Sequence, residues 1–138
     1  MHLASLRKPR VYVDGKIVGR HSPDLLKKAY VAYFVEGQRM KGFMKVKAEE
    51  TDDVELEAIL FAINELKFRF RRFTIICDHQ SVVSEINRQT TRRVKNPLLD
   101  RIRKIREENP GIEISEMERN LADKYLDELE NDDKLDQD

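Results

Sequence analysis

Five residues, Phe73-Thr74-Ile75-Ile76-Cys77, run without regular polar alternation and end at Asp78. A strand of this kind is apolar towards both faces. It belongs in the middle of a sheet covered on either side, which is the setting of parallel strands joined by helices. The rest of the chain must supply that cover.

The flanking segments carry helical spacing. Thr51 is an N-cap type, and Asp52 and Asp53 after it favour the start of a helix. Leu56, Ile59, Leu60, Ile63 and Leu66 then recur at steps of three and four, which predicts a helix to about Lys67. Val82, Val83 and Ile86 mark a second helix over 80–88. Pro97 opens a third, through about Glu108, with Leu98, Leu99, Ile102 and Ile105 inward, and Asn109-Pro110-Gly111 stops it. Ile112–Ser115 alternates as a short strand, and a last helix is expected over Arg119–Leu129.

Ahead of the first helix the pattern is that of strands. Val11-Tyr12-Val13 reads as a strand closed by the turn pair Asp14-Gly15. Residues 16–28 read as irregular, with at most a helical turn at Pro23–Lys28. Ala29–Val35 and Arg39–Lys47 read as a hairpin around Glu36-Gly37-Gln38. The order β–β–β–α–β–α–α–β–α predicts an α/β fold. Its sheet is mixed and five-stranded, three antiparallel strands joined to parallel ones, with helices on both faces. Phe34, Phe43, Phe61 and Phe73 are expected in the core, while Tyr12 and Tyr33 fit either core or surface. A chain of 138 residues suits a single domain over 1–138, with 1–9 and 130–138 as frayed tails.

Charge adds a second constraint. Lys+Arg and Asp+Glu both total 26, so the formal net charge is zero. The zero hides two opposed halves: residues 1–48 carry eleven cations against three acids, and residues 49–138 carry fifteen against 23. A neutral sum therefore leaves room for a basic patch and an acidic site. Eight cations lie in 88–106 against Asp100 alone, and Lys67, Arg69, Arg71 and Arg72 form a second cluster. Either cluster suits phosphate, and either equally suits a solvated helix face. Cys77 is the only cysteine, which excludes an intrachain disulfide and a Cys-based zinc site and fits a reduced, cytoplasmic setting. No apolar stretch is long enough to span a bilayer, so no membrane partner is expected.

Asp14 and Asp78 each follow an apolar strand. If those strands are parallel neighbours, both carboxylates emerge at the C-terminal edge of the sheet, where open α/β sheets place their sites. Glu55 lies near the start of the long helix and Asp123 near the start of the last one. Converging carboxylates raise each other's pKa values, and a hard divalent cation relieves the repulsion. Singly, each acid is as well explained as a turn, cap or surface residue.

In this order the segments resemble the ribonuclease H family over about Val11–Leu129. Val11-Tyr12-Val13-Asp14-Gly15 is similar to its first strand. Val54-Glu55-Leu56-Glu57-Ala58 is similar to its Ala-Glu-x-x-Ala helix. Ile75-Ile76-Cys77-Asp78-His79-Gln80-Ser81 is similar to its strand–Asp–Ser–Gln segment, and Val94-Lys95-Asn96-Pro97 to the lead into a later helix. Arg119-Asn120-Leu121-Ala122-Asp123 is similar to its final Arg-Asn-Ala-Asp signature. The resemblance implies a ribonuclease H-like fold and cleavage of the RNA strand of RNA–DNA hybrids. It implies Asp14, Glu55, Asp78 and Asp123 as catalytic ligands of two Mg²⁺ (or Mn²⁺) ions. Glu55 rather than Glu57 takes the family's position relative to Ala58. Lys16, Arg88, Arg92, Arg93, Lys95 and Arg119 are the expected nucleic-acid contacts.

Two departures keep other readings open. Lys16–Lys28 stands in place of the family's Gly-rich turn, and 115–118 contain no histidine where the family has a helper to turnover. The alternatives are a binding module of the same fold without catalysis, a nuclease acting on another duplex or a junction, and a purely structural protein. His79, beside Asp78, is expected to cap the following helix. The sequence does not speak to oligomeric state.

Overall fold

A computed structural model describes residues 8–18, 27–48, 51–88, 96–117 and 121–131. In chain order these form β1 (Arg10–Val18), β2 (Lys27–Val35), β3 (Lys41–Ala48), α1 (Thr51–Leu66), β4 (Phe73–Cys77), α2 (Gln80–Asn87), α3 (Pro97–Glu108), β5 (Ile112–Glu116) and α4 (Leu121–Asn131).

The strands make one mixed five-stranded sheet in the order β3-β2-β1-β4-β5. β1, β2 and β3 pair antiparallel, with Asp14 opposite Ala32 and Tyr33 opposite Gly42. The direction changes at β1, which pairs parallel with β4, Tyr12 beside Ile76. β5 continues parallel, Ile75 beside Ile114. The expected sheet and the expected direction change are both present.

Alternation along the strands divides the core between two faces. Val11, Val13, Val31, Ile75 and Cys77 pack with α1, α2 and α3, where Ile59, Ile63 and Leu66 have no exposed surface. Burying each such side chain is worth about 1.5–3 kcal/mol. Tyr12 and Ile76 meet Ala122 on the other face, and Tyr30 and Ala32 meet Leu126 and Leu129, so α4 covers that side. β4 is apolar on both faces for this reason. No helix among the described residues is long and apolar enough to cross a membrane.

The structure corrects several expectations. Asp14-Gly15 is not a turn, because β1 continues through it to Val18. Gly15 is needed for close approach instead: a Cβ there would lie 2.2 Å from Val54 Cγ1, at the start of α1. Of the stretch 16–28, expected to be irregular, 16–18 belong to β1 and 27–28 to β2, and 19–26 lie outside the described residues. Gly37, at φ 76°, supplies the left-handed residue of the β2–β3 turn.

Phe43 is 41% exposed rather than buried, since it lies on the edge strand and touches only the margin of α4, through Tyr125 (ring centroids 6.3 Å apart). Tyr12 and Tyr33 are both buried. Residues 8 and 9 are tied down: Lys8 pairs with Glu113, and the Pro9 carbonyl accepts from the Thr74 N–H at 2.9 Å. At the other end α4 runs through Asn131, past the expected limit.

Candidate active site

The register of β1 and β4 places the acids. Tyr12 lies beside Ile76 at the end of the parallel pairing, and Asp14 and Asp78 each follow two residues further along their chains. Asp78 leaves the sheet at the C-terminal end of β4, while Asp14 stays within β1, which runs on to Val18. Glu55 arrives from α1, whose first turns are held against β1 by the absence of a side chain at Gly15.

Glu55 and Asp78 come together with Cys77 in a group whose donor atoms all lie within 4.8 Å of one another. Asp14 joins through a hydrogen bond with the Glu55 carboxyl, which also accepts from the Gly15 backbone N–H. The Cys77 thiol donates to Glu55 Oε2 at 3.5 Å. Glu55 and Asp14 are buried, at 4% and 8% exposure, whereas Asp78 is exposed.

Burial, then the neighbouring Asp78 charge, pushes the Glu55 carboxyl up to about 7 from its ordinary 4.5, against the opposing pull of its hydrogen bonds. Burial also pushes the Cys77 thiol far up, helped by the Glu55 charge, so the sulfur stays protonated in the metal-free chain.

The carboxylates offer oxygen donors, the preference of Mg²⁺ and Mn²⁺ over zinc or copper. Mg²⁺ bonds at about 2.1 Å put neighbouring ligand oxygens roughly 3 Å apart. The Glu55 and Asp78 carboxylate oxygens lie within 4.8 Å of each other. The carboxylates therefore fit a hard divalent cation, whose charge would offset the repulsion between them.

Asp123 lies in the first turn of α4, next to Ala122, which packs on Tyr12 and Ile76. The backbone thus brings Asp123 to the sheet face on which Asp14 emerges, and its side chain lies outside the described part of the structure. Glu57 points elsewhere. Its environment is Arg101 of α3 and Asp53, and burial raises its pKa more than Arg101 lowers it.

Of the expected phosphate contacts, Lys16 stands two residues past Asp14 and pairs with Asp127 at 3.5 Å. Arg88 is exposed after α2 and pairs with Glu85 at 3.4 Å. Arg92, Arg93, Lys95 and Arg119 lie outside the described residues.

Part of the basic run is structural. Arg103 donates to the Glu85 and Arg88 carbonyls at the end of α2, and Arg106 donates to Asn87. Arginine thus satisfies carbonyls that the helix leaves unpaired. Sequence reasoning missed this because no local pattern links two helices in this way. His79 occupies the N-cap position of α2 without capping it; its ring instead meets Asp52 at 3.2 Å and Ser81 at 3.1 Å. A cavity of about 710 Å³ between α2, α3 and β5 is lined by none of the four candidate carboxylates.

Comparison with solved structures places the fold. LC11 ribonuclease H1 in complex with an RNA/DNA hybrid superposes with a TM-score of 0.64 at 19% identity, over 85% of this chain and 92% of that one. Ribonuclease H1 from the archaeon Halobacterium salinarum superposes at 0.58 and 22% identity, over 88% and 99%. The ribonuclease H domain of prototype foamy virus does so at 0.60 and 15%, over 82% and 81%. No protein-family model matches the sequence, and no curated protein matches it either. The chain has the ribonuclease H-like fold.

Proposed function

We propose that the protein is a divalent-metal-dependent nuclease that cleaves the RNA strand of RNA–DNA hybrids. The observation that carries this is the meeting of Asp14, Glu55 and Asp78 near the C-terminal end of β4 in a ribonuclease H-like sheet, with oxygen donors fit for Mg²⁺. LC11 ribonuclease H1, of the same fold, was crystallised with an RNA/DNA hybrid, which favours a duplex as partner.

Glu55 and Asp78 would hold the cations, with Asp14 and Asp123 completing the set. Bound there, a pair of ions supplies an activated water and stabilises the leaving oxygen of the phosphodiester. The chain's own part is to fix the ligands. The Gly15 N–H orients Glu55, the Cys77 thiol donates to its second face, and the covered sheet keeps the group rigid. Lys16, beside Asp14, would meet the substrate's phosphates, and Arg88 would extend that surface along α2. With Arg92, Arg93, Lys95 and Arg119 they make up the proposed phosphate surface.

A labelled hybrid should be cut in Mg²⁺ at low salt. Asp78→Asn should slow that by about 10³-fold without loss of fold, since an exposed ligand to developing charge is removed. A wild-type protein that leaves the hybrid intact in both Mg²⁺ and Mn²⁺ overturns the reading. Binding without cutting would assign the binding-module alternative, and cutting of duplex DNA, duplex RNA or junctions would reassign the substrate.

A further inference from the structure

α1 ends at Leu66, and the turn that leads into β4 has the sequence Lys67-Phe68-Arg69-Phe70-Arg71-Arg72. The turn is well formed, with the Arg69 and Phe70 N–H groups bonded to the Leu66 carbonyl at 2.9 and 3.0 Å. Its two aromatics have different fates. Phe70 turns inward and meets Phe73 edge-on, ring centroids 6.4 Å apart. Phe68 is 87% exposed, against 41% for Phe43 and 39% for Met44, the other exposed large apolar side chains among the described residues. The Lys67 ammonium lies 5.2 Å from the Phe68 ring centroid.

These cations make few close contacts with acids, though Arg72 acts on Glu113 at longer range. None of Lys67, Arg69, Arg71 and Arg72 forms an ion pair with an acid among the described residues. Lys67, Arg71 and Arg72, with Phe70 and Asn109-Pro110-Gly111, line a cavity of about 550 Å³. Glu108 is the one acid on its lining. The wall is closely fitted, since a Cβ on Gly111 would lie 2.3 Å from the Arg71 carbonyl oxygen. Cations after a helix C-terminus complement its dipole, which accounts for Lys67 and Arg69. It does not account for an aromatic ring held in water beside a cationic cavity.

We propose that this turn binds single-stranded nucleic acid, one base stacked on Phe68 and the adjoining phosphates held by Lys67, Arg71 and Arg72. A ring face in solvent is open to any unpaired base, whereas duplex bases already stack on one another. The site is distinct from the carboxylate edge. It lies at the far end of α1, eleven helical residues beyond Glu55, or about 16 Å. An unpaired flank of a bound duplex could reach it, but the inference does not depend on the nuclease reading.

The test is fluorescence anisotropy in metal-free buffer with labelled 15-nucleotide DNA and RNA of one sequence, and with a blunt duplex. Phe68→Ala should weaken single-strand binding about tenfold, as removal of one stacked base does, and leave the duplex unchanged. Phe68→Trp should retain the affinity. Arg71→Gln with Arg72→Gln should reduce the salt slope by about 1.4, roughly 0.7 for each phosphate that is no longer neutralised on a single strand. If Phe68→Ala binds single strands like the wild type, or if duplex and single strand weaken equally, the proposal fails. Because no metal and no cleavage enter the measurement, its outcome is separate from that of the hybrid assay. The DNA and RNA arms show which strand the site takes.

Discussion

The two ends of α1 treat charge in opposite ways. At the N-terminal end Glu55 is packed to 4% exposure against Gly15, Cys77 and Asp14, and its proton affinity is displaced. At the C-terminal end Arg69, Arg71, Arg72 and Phe68 stand in water. Buried charge is coupled to the fold, so whatever neutralises it also stabilises the protein. Exposed charge is independent of the fold and free to meet a ligand. One helix therefore links a site that costs stability to a surface that costs almost none.

Glu55 offers the largest contrast. Its folded pKa of about 7 lies above the ordinary 4.5. Between those values the folded chain keeps a proton that the unfolded chain has lost. Stability from this group is complete below about pH 4.5, falls as pH rises through the window, and is flat above about 7, a loss on the order of 3 kcal/mol. Denaturant titrations from pH 4.5 to 8 should show that fall in the metal-free wild type and not in Glu55→Gln. Mg²⁺ should offset it at pH 8 in the wild type alone, and an equal gain in Glu55→Gln would break the contrast.

Gly15→Ala comes next. The new methyl group would overlap Val54, which predicts a loss of about 1–3 kcal/mol and a lower cleavage rate, because the N–H that orients Glu55 moves with it. Asn96→Ala should cost about 1 kcal/mol. Its side chain accepts from the Leu98 N–H at 2.9 Å as the N-cap of α3, and it donates to Asp53 of α1 at 3.1 Å. At the other end, Phe68→Ala should change the unfolding free energy by less than about 0.5 kcal/mol, as expected for an exposed side chain away from special features. A larger loss would mean that the turn supports the fold after all.

What could be read from the sequence follows the same division. Phe73–Cys77 and Pro97–Glu108 stand where periodicity and Pro97 put them, because burial on a sheet or along a helix is written in local spacing. Asp14-Gly15 misled because the pair is a turn signal locally, whereas the glycine answers to a helix more than thirty residues further on. Phe43 misled because an edge strand leaves the far side of an apolar position uncovered. The meeting of Glu55 with Asp78 follows from strand order, and no spacing of residues states it. The arginines that hold α2 to α3 were legible only as charge. Phe68 was invisible for the opposite reason: aromatic residues are expected inside, and only the shape of the turn shows that one stays out.

The change of strand direction at β1 has a consequence for how the protein matures. β1, β2 and β3 are joined by short connections and can pair as soon as they are made, since closing a short loop loses little entropy. Asp14 is already in place on that meander. Its partner Asp78 arrives only when the chain has passed through α1 and laid β4 along the other side of β1. Cation affinity is therefore a property of the closed sheet, and it should be among the last properties recovered during refolding.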